Sequence, residues 1–378
     1  MLKSVFLIAI VAVAMIGMMV PSAFAYTITD DATGGDCSTI GTWDSASRTC
    51  TLSGDISENI VIGANNIVLD GNGKTILGNP DLSINTNSQH VNPWVYYCDA
   101  DNISAIQINA KTNLVIKNLT IKDWCTAISG DNSINNIFQG NTITDNHNGI
   151  SLVNSVGDTI TDNQIINIQE IGILLNGNDY TISNNIIDDL SNAFIHPNTY
   201  TDFYGPTNVG IKVESGDGVN IIENNSLGSA DSGFSVGIDH NYAYSENSVL
   251  TIKNNNIINM GTGINCERYC DIYDNNMIFE STSHDSNFYP ITGIVSGQFT
   301  NVHNNVIKNW KTAIITDGDP VLIYHNLFEN NLNLFDLRMG QYVVENNFIN
   351  NNSPGYGSQS NFNSMSSMYW TNNPVIQN

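Results

Sequence analysis

The chain is expected to be all-β and wound as a parallel β-helix, a β-solenoid of about twelve coils. Three observations predict this. A short pattern, hydrophobic-x-Asn/Asp-Asn-x-Ile followed some ten residues later by Gly-Ile, recurs at a nearly fixed period. It is clearest in QGNTITDNHNGISLVNSVGDTITDNQIINIQEIGILLNGNDYTISNN, residues 139–185, where the repeat is about 22 residues. An asparagine can be followed in step through Asn118, Asn141, Asn163, Asn185, Asn225, Asn255, Asn275, Asn305, Asn326 and Asn347. A second ladder runs beside it through Ile106, Ile128, Ile150, Ile173, Ile211, Ile238, Ile264, Ile294, Ile314 and Phe335. Short β-branched runs between Asn/Gly turns indicate strands rather than helical or leucine-rich repeats. Asparagine suits the corner because it tolerates left-handed backbone angles and its amide can pair with the coils above and below. The isoleucines are expected to fill a narrow core.

Residues 1–25 read as a secretory signal: Lys3, an apolar run from Val5 to Val20, Pro21, and the small-x-small site Ala23-Phe24-Ala25. An uncleaved anchor is the alternative reading, and no later stretch is apolar enough to span a bilayer. Residues 26–57 lack the repeat and are expected to cap the first coil, since an open solenoid end exposes core and strand edges. The helix proper is expected over 58–351, with Asp70-Gly71-Asn72-Gly73 at the asparagine corner of the entry coil. Residues 352–378, rich in Ser, Gly and Asn and carrying Tyr369-Trp370, read as a C-terminal cap or tail.

Twelve Lys and Arg against 36 Asp and Glu give a net charge of −24. Such a field disfavours nucleic acid and anionic lipid and favours cations. Six cysteines behind a signal segment imply disulfides. Spacing favours Cys37–Cys50, Cys98–Cys125 and Cys266–Cys270 among the connectivities available.

The repeats VIKNLTI…TAIS, TITDNQI…GILL and VVENNFI resemble the right-handed parallel β-helix repeats of NosD-like and pectate-lyase-superfamily proteins. The opening block DCSTIGTWDSASRTCTL…NIVLDGNGKTILG is similar to the N-terminal portion of secreted prokaryotic members. The resemblance covers nearly the whole chain after residue 25 and implies the handedness. It leaves function open, because this fold hosts lyases, hydrolases, epimerases, adhesins and accessory proteins. It also implies that the asparagine ladder turns between the second and third strands and that Gly-Ile opens the first.

Departures from the period point to a site. The step from the asparagine corner to the next ladder isoleucine lengthens to 34 residues after Asn72, 26 after Asn185, 13 after Asn225 and 19 after Asn275. Insertions 79–103, 190–207, 228–235 and 281–290 therefore leave from one edge, with a smaller one, 240–247, facing them. They are expected to wall a groove over the Gly-Ile strand, where the superfamily resemblance puts a polysaccharide. Trp94, Tyr96, Tyr97, Tyr200, Phe203, Tyr204, Phe288 and Tyr289 on these loops offer flat apolar faces for sugar rings. Asp99, Asp101, Asp202, Asp231 and Asp285 supply acceptors for hydroxyls, or for Ca²⁺ at Asp99, Asp101, Asp202 and Asp285.

Strand alternation sets the floor. With the isoleucines inward, the outward column reads Gln107, Ser129, Ser151, Leu174, Lys212, Asp239, Asn265, Val295 and Ile315, with Glu214 and Glu267 one step along. Asp239 with Glu214 or Glu267 could supply the acid and the nucleophile or base of glycosidic cleavage. Lys212 could be a β-elimination base, or simply an ion-pair partner of these carboxylates. Asn265 joins the loop aromatics as a substrate contact. Among the histidines, His90, His196 and His284 fall on the groove loops and His240 on the facing one, where they could converge on a metal. The NosD resemblance hints at copper, yet no Met/His cluster beyond Met365-Ser366-Ser367-Met368 supports it, so Ca²⁺ is the cofactor entertained. Sequons occur at Asn102, Asn118, Asn224 and Asn351; Asn118 is expected to be buried in the ladder, which makes Asn102 the better acceptor. The expected function is a secreted or cell-surface protein that binds a glycan without cleaving it. Two alternatives stand beside it: a polysaccharide hydrolase or, less favoured, a lyase or epimerase, and a structural protein that self-assembles through its loops.

Overall fold

The computed structural model describes residues 25–78, 98, 104–190, 208–215, 218–229, 235–240, 249–280, 292–318, 320–337, 341–344, 346–351 and 353–357. They form a right-handed parallel β-helix of three long sheets with 13, 13 and 11 strands. One turn of the helix reads Asn148–Val156 in the first sheet, Thr159–Thr161 in the second and Gln164–Ile166 in the third. Each strand pairs in parallel with its counterparts one coil before and after. Residues 1–24, within the segment expected to be a secretory signal, lie outside the described residues, and among those described no helix is long and apolar enough to cross a membrane.

Residues 26–57 add strands at the entry end. Tyr26–Ile28 adds to the first sheet beside Ile60–Ile62, and the hairpin Gly41–Asp44 with Thr49–Leu52 adds antiparallel pairing to the second. The Cys37–Cys50 disulfide ties the hairpin to the short helix Cys37–Ile40. Cys98–Cys125 and Cys266–Cys270 complete the expected connectivity. At the far end the first sheet runs past Asn351, because Ser353–Gly357 pairs with Asn333–Leu337. Residues 358–378, with Tyr369 and Trp370, lie outside the described residues.

The isoleucine ladder is in register throughout. Ile106, Ile128, Ile150, Ile173, Ile211, Ile238, Ile264, Ile294, Ile314 and Phe335 are successive partners, and all are buried. With one such residue from each of three sheets in every coil, the interior is a dry aliphatic column, the usual consequence of parallel strands covered on the inner face.

The asparagine ladder needs two corrections. It begins at Asn141 rather than Asn118 and ends at Asn346 rather than Asn347. The left-handed residue is also not the ladder asparagine but the one before it. Asn118, Gly140, Asp162, Asn184, Asn224, Asn254, Asp274, Asn304 and His325 all have φ between 54° and 63°. That residue turns the chain and stays outside, so Asn118 and Asn224 are exposed, against the expectation that Asn118 is buried. The next residue points inward and binds. The Asn225 backbone N–H donates to Asn255 Oδ1 at 3.0 Å, and its Nδ2 donates to Asn255 Oδ1 and to the Ile182 carbonyl, each at 3.0 Å. The same trio recurs from Asn141 to Asn326. The other two corners use the device locally, through Asn136 and Asp158 at one and Asn146, Asn331 and Asn351 at the other.

Removing one rung strands several buried polar groups at once, each costing about 1–3 kcal/mol. Asn255→Ala is therefore expected to lower unfolding stability in denaturant titration by roughly 3 kcal/mol or more. Asn118→Gly, which copies Gly140 one coil on, should change it by less than about 1 kcal/mol; equal losses would contradict the ladder's offset. Asp158 gives a second test. Burial raises its pKa despite hydrogen bonds from Asn136 N and Ser133 Oγ. Its ionised form is thus disfavoured in the fold, a cost absent below the unfolded carboxylate range and present once pH exceeds the raised folded value. Asp158→Asn should stabilise the protein at pH 7, and the gain should fade as the pH falls below about 4 in pH-dependent melting.

Candidate functional site

The first sheet carries the outward column that alternation predicts. Gln107, Ser129, Ser151, Leu174, Lys212, Asp239, Asn265, Val295 and Ile315 are successive partners across eight strand pairings. The insertions also leave where expected. Four intervene between a third-sheet strand and the next first-sheet strand, ahead of Ser104–Gln107, Asn208–Ser215, Ser235–His240 and Thr292–Gln298. The fifth separates Ser235–His240 from Val249–Lys253. Cys98 ties the first insertion to Cys125, at the threshold of strand Thr126–Asp131. Trp94, Tyr96, Tyr97, Tyr200, Tyr204, Tyr289, Asp99, Asp101, Asp202 and Asp285 all lie outside the described residues, as do His90, His196 and His284.

On the floor one ion pair and one amide–carboxylate hydrogen bond engage three of the four candidate charged groups. Lys212 Nζ lies 2.8 Å from Glu214 Oε1, two residues along the same strand and on the same face, with the side chains 25% and 39% exposed. Asp239 is 7% exposed, and its Oδ1 accepts a 2.7 Å hydrogen bond from Asn265 Nδ2 in the next coil. Glu267 is exposed. The structure therefore joins Lys212 to Glu214 and Asp239 to Asn265.

Beneath this floor lies a feature the sequence reading passed over. His240 is not a loop residue. It ends strand Ser235–His240, points inward two residues after Ile238, and is 3% exposed. In the inward column Leu152, Leu175 and Val213 give way to His240, Cys266, Ser296 and Thr316, four consecutive polar or sulfur-bearing residues, before Leu337. His240 Nδ1 is 3.8 Å from both Cys266 Sγ and Cys270 Sγ, and Thr300 Oγ1 lies 3.9 Å from Cys266 Sγ. Ser296 Oγ and Thr316 Oγ1 are buried without a hydrogen-bond partner among the described residues. Burial holds the imidazole neutral, its pKa depressed to about 4. The signal was present: alternation from Ile238 and Ile264 puts His240 and Cys266 in one column.

Other groups do less. On the outer face of the second sheet Tyr273, His303 and Tyr324 stack at ring separations of 4.9 and 4.7 Å, with His303 Nε2 3.1 Å from Asp271 Oδ1. The rings cover one another's faces, so they present edges rather than a platform for sugar. An open depression lined by Asp70, Asn72, Asn118, Thr120 and Thr142 lies at the corner between the second and third sheets, away from the Gly-Ile face.

Residues 58–243, just under half of the chain, match the family model described as "Periplasmic copper-binding protein (NosD)". Over those residues the chain resembles the NosD family, and its fold is the parallel β-helix. Two solved structures align with the chain. An alginate lyase from Paenibacillus sp. str. FPU-7 aligns at 12% identity over 81% of this chain and 98% of its own, with a TM-score of 0.41. The catalytic unit of a thermostable GH87 α-1,3-glucanase from Streptomyces thermodiastaticus strain HF3-3 aligns at 12% identity over 88% and 69%, with a TM-score of 0.45. No curated protein matches the chain. Copper is implied by the family description, and His240, Cys266 and Cys270 are the one group of three or more potential metal ligands among the described residues, with donor atoms within 4.8 Å of one another. As thiolates the two sulfurs, together with the imidazole, would suit a thiophilic ion; here they are joined as a disulfide.

The half-exposed Lys212–Glu214 pair is a weak stabiliser. Glu214→Gln should change unfolding stability by less than about 1 kcal/mol, with the difference shrinking further in high salt. A larger loss in denaturant titration would mean that the pair is held by contacts beyond the two side chains.

Proposed function

We propose that this protein works outside the cytoplasm, at the cell surface or secreted, and binds carbohydrate along the Gly-Ile face without cleaving it. Three disulfides fit an oxidising compartment, and the matched family is described as periplasmic. The outward column presents Gln107, Ser129 and Ser151 on one side of Leu174 and Lys212 and Asn265 on the other, with successive coils about 4.8 Å apart along the helix axis. A linear glycan lying along that axis would meet polar groups on both sides of the apolar Leu174. On this reading the inserted segments contribute their aromatic side chains for stacking.

The observation that favours binding over catalysis is the pairing on the floor. Glycosidic cleavage needs an acid and a partner carboxylate that both reach the scissile bond. Asp239 is buried and engaged with Asn265, and Lys212 is neutralised by Glu214, which also counts against an elimination base. A net charge of −24 favours a neutral glycan over a uronate, unless Ca²⁺ at Asp99, Asp101, Asp202 or Asp285 bridges the two.

The test is to incubate the purified protein with neutral and acidic polysaccharides, with and without Ca²⁺, measuring retention on the polymer and new reducing ends together. Binding without new reducing ends is expected, weakened roughly tenfold by Asn265→Ala. Reducing ends that appear with the wild type and vanish in Asp239→Asn would make the protein a glycan-cleaving enzyme. Concentration-dependent assembly in light scattering, with no polymer retained, would favour the structural reading instead.

A further inference from the structure

The polar interior under the Gly-Ile face lies in the region where a β-helix needs aliphatic side chains most. Four successive coils place His240, Cys266, Ser296 and Thr316 in the inward column, and the second-sheet side adds Cys270 and Thr300. Two of these hydroxyls are buried and have no hydrogen-bond partner among the described residues, a cost of about 1–3 kcal/mol each that packing alone does not explain. A disulfide by itself needs no histidine against it, yet His240 Nδ1 lies at the same 3.8 Å from both sulfurs. In the tautomer that carries its proton on Nε2, the imidazole offers its Nδ1 lone pair toward them.

We infer that His240, Cys266 and Cys270 form a redox-gated site for a thiophilic monovalent ion, Cu(I), independent of the glycan face. In the disulfide state the two sulfurs are bonded to each other and the site cannot hold the ion as thiolates. A dithiol reductant supplies two electrons and two protons, the S–S bond breaks, and two thiols form while the reductant becomes a disulfide. Binding of Cu(I) then releases the two thiol protons and leaves a neutral imidazole and two thiolates as ligands. Three donors in a dry interior suit Cu(I), whereas Zn²⁺ is almost always four-coordinate in structural sites. His240 falls inside the residues that match the family, and both cysteines fall beyond them, so the family match does not assign this ligand set.

The experiment titrates Cu(I), under anaerobic conditions and against a chromogenic competitor, into the full protein before and after reduction. X-ray absorption at the copper edge is recorded on the reduced, loaded sample. Reduced wild type should take up one Cu(I) more than the reduced Cys266→Ser/Cys270→Ser variant, which allows for the other four thiols, and the disulfide form should lack that equivalent. His240→Leu should weaken this equivalent at least roughly tenfold, since even outer-shell partners of metal ligands carry that much. The absorption spectrum should report two sulfurs and one imidazole nitrogen, a readout that needs no variant to fold. Equal uptake by wild type and the double variant, or a sulfur-only shell, would overturn the inference. A four-coordinate Zn²⁺ that Cu(I) fails to displace would overturn the choice of ion.

Discussion

From Asn141 to Asn346 each coil is bound to the next by an inward asparagine whose side-chain oxygen receives the backbone N–H of its counterpart one turn away. The rest of the structure depends on this interaction. At a corner the chain leaves one sheet before it enters the next, and an inward N–H there has no strand partner and no water. An amide can satisfy that N–H, donate to a carbonyl of the preceding coil and pair with itself along the stack. An aliphatic side chain can do none of these. The residue before it absorbs the turn in a left-handed conformation, which explains why Asn, Asp and Gly dominate that position.

A corner fixed in this way fixes the phase of the strands that follow, because a slip by one residue would exchange inside and outside along a whole strand. Inserted segments leave that phase intact: four enter between the third and first sheets and one between the first and second, and the ladder resumes after each. The same register that buries the isoleucine column lines up Lys212, Asp239 and Asn265 on the outer face. It also lines up His240, Cys266, Ser296 and Thr316 on the inner one. The two candidate sites are thus opposite faces of neighbouring residues in one set of strands, with Asp239 outside and His240 inside. They nevertheless have different chemistry: the outer face presents paired charges and amides to solvent, and the inner one presents soft donors in a dry column.

Much of this was legible in the sequence for physical reasons. The isoleucine ladder is a period-of-two signal anchored to a fixed repeat, and it transferred to the structure residue by residue. The cysteine pairs were readable from spacing. The asparagine ladder was read one residue off at its ends, because both members of pairs such as Asn184-Asn185 and Asn224-Asn225 are asparagine and composition cannot say which one points in. Asn118-Leu119 and Asn346-Asn347 are resolved only by the hydrogen bonds of the neighbouring coil. His240 was assigned to a loop because the period breaks just after it, although alternation from Ile238 already turned it inward. The pairing of Lys212 with Glu214 rather than Asp239 depends on side-chain reach along one strand, which neither spacing nor charge count specifies.

Hydrogen exchange with and without a bound glycan tests the central claim most directly, because one experiment reads both the ladder and the face built on it. In the free protein the amides of Asn163, Asn185, Asn225, Asn255 and Asn275 should exchange among the slowest in the chain. Addition of the glycan retained in the polysaccharide panel should slow exchange in Asn208–Ser215, Ser235–His240 and Thr262–Arg268 and leave the second and third sheets unchanged. Fast exchange at the ladder amides, or protection confined to the other sheets, would contradict the account.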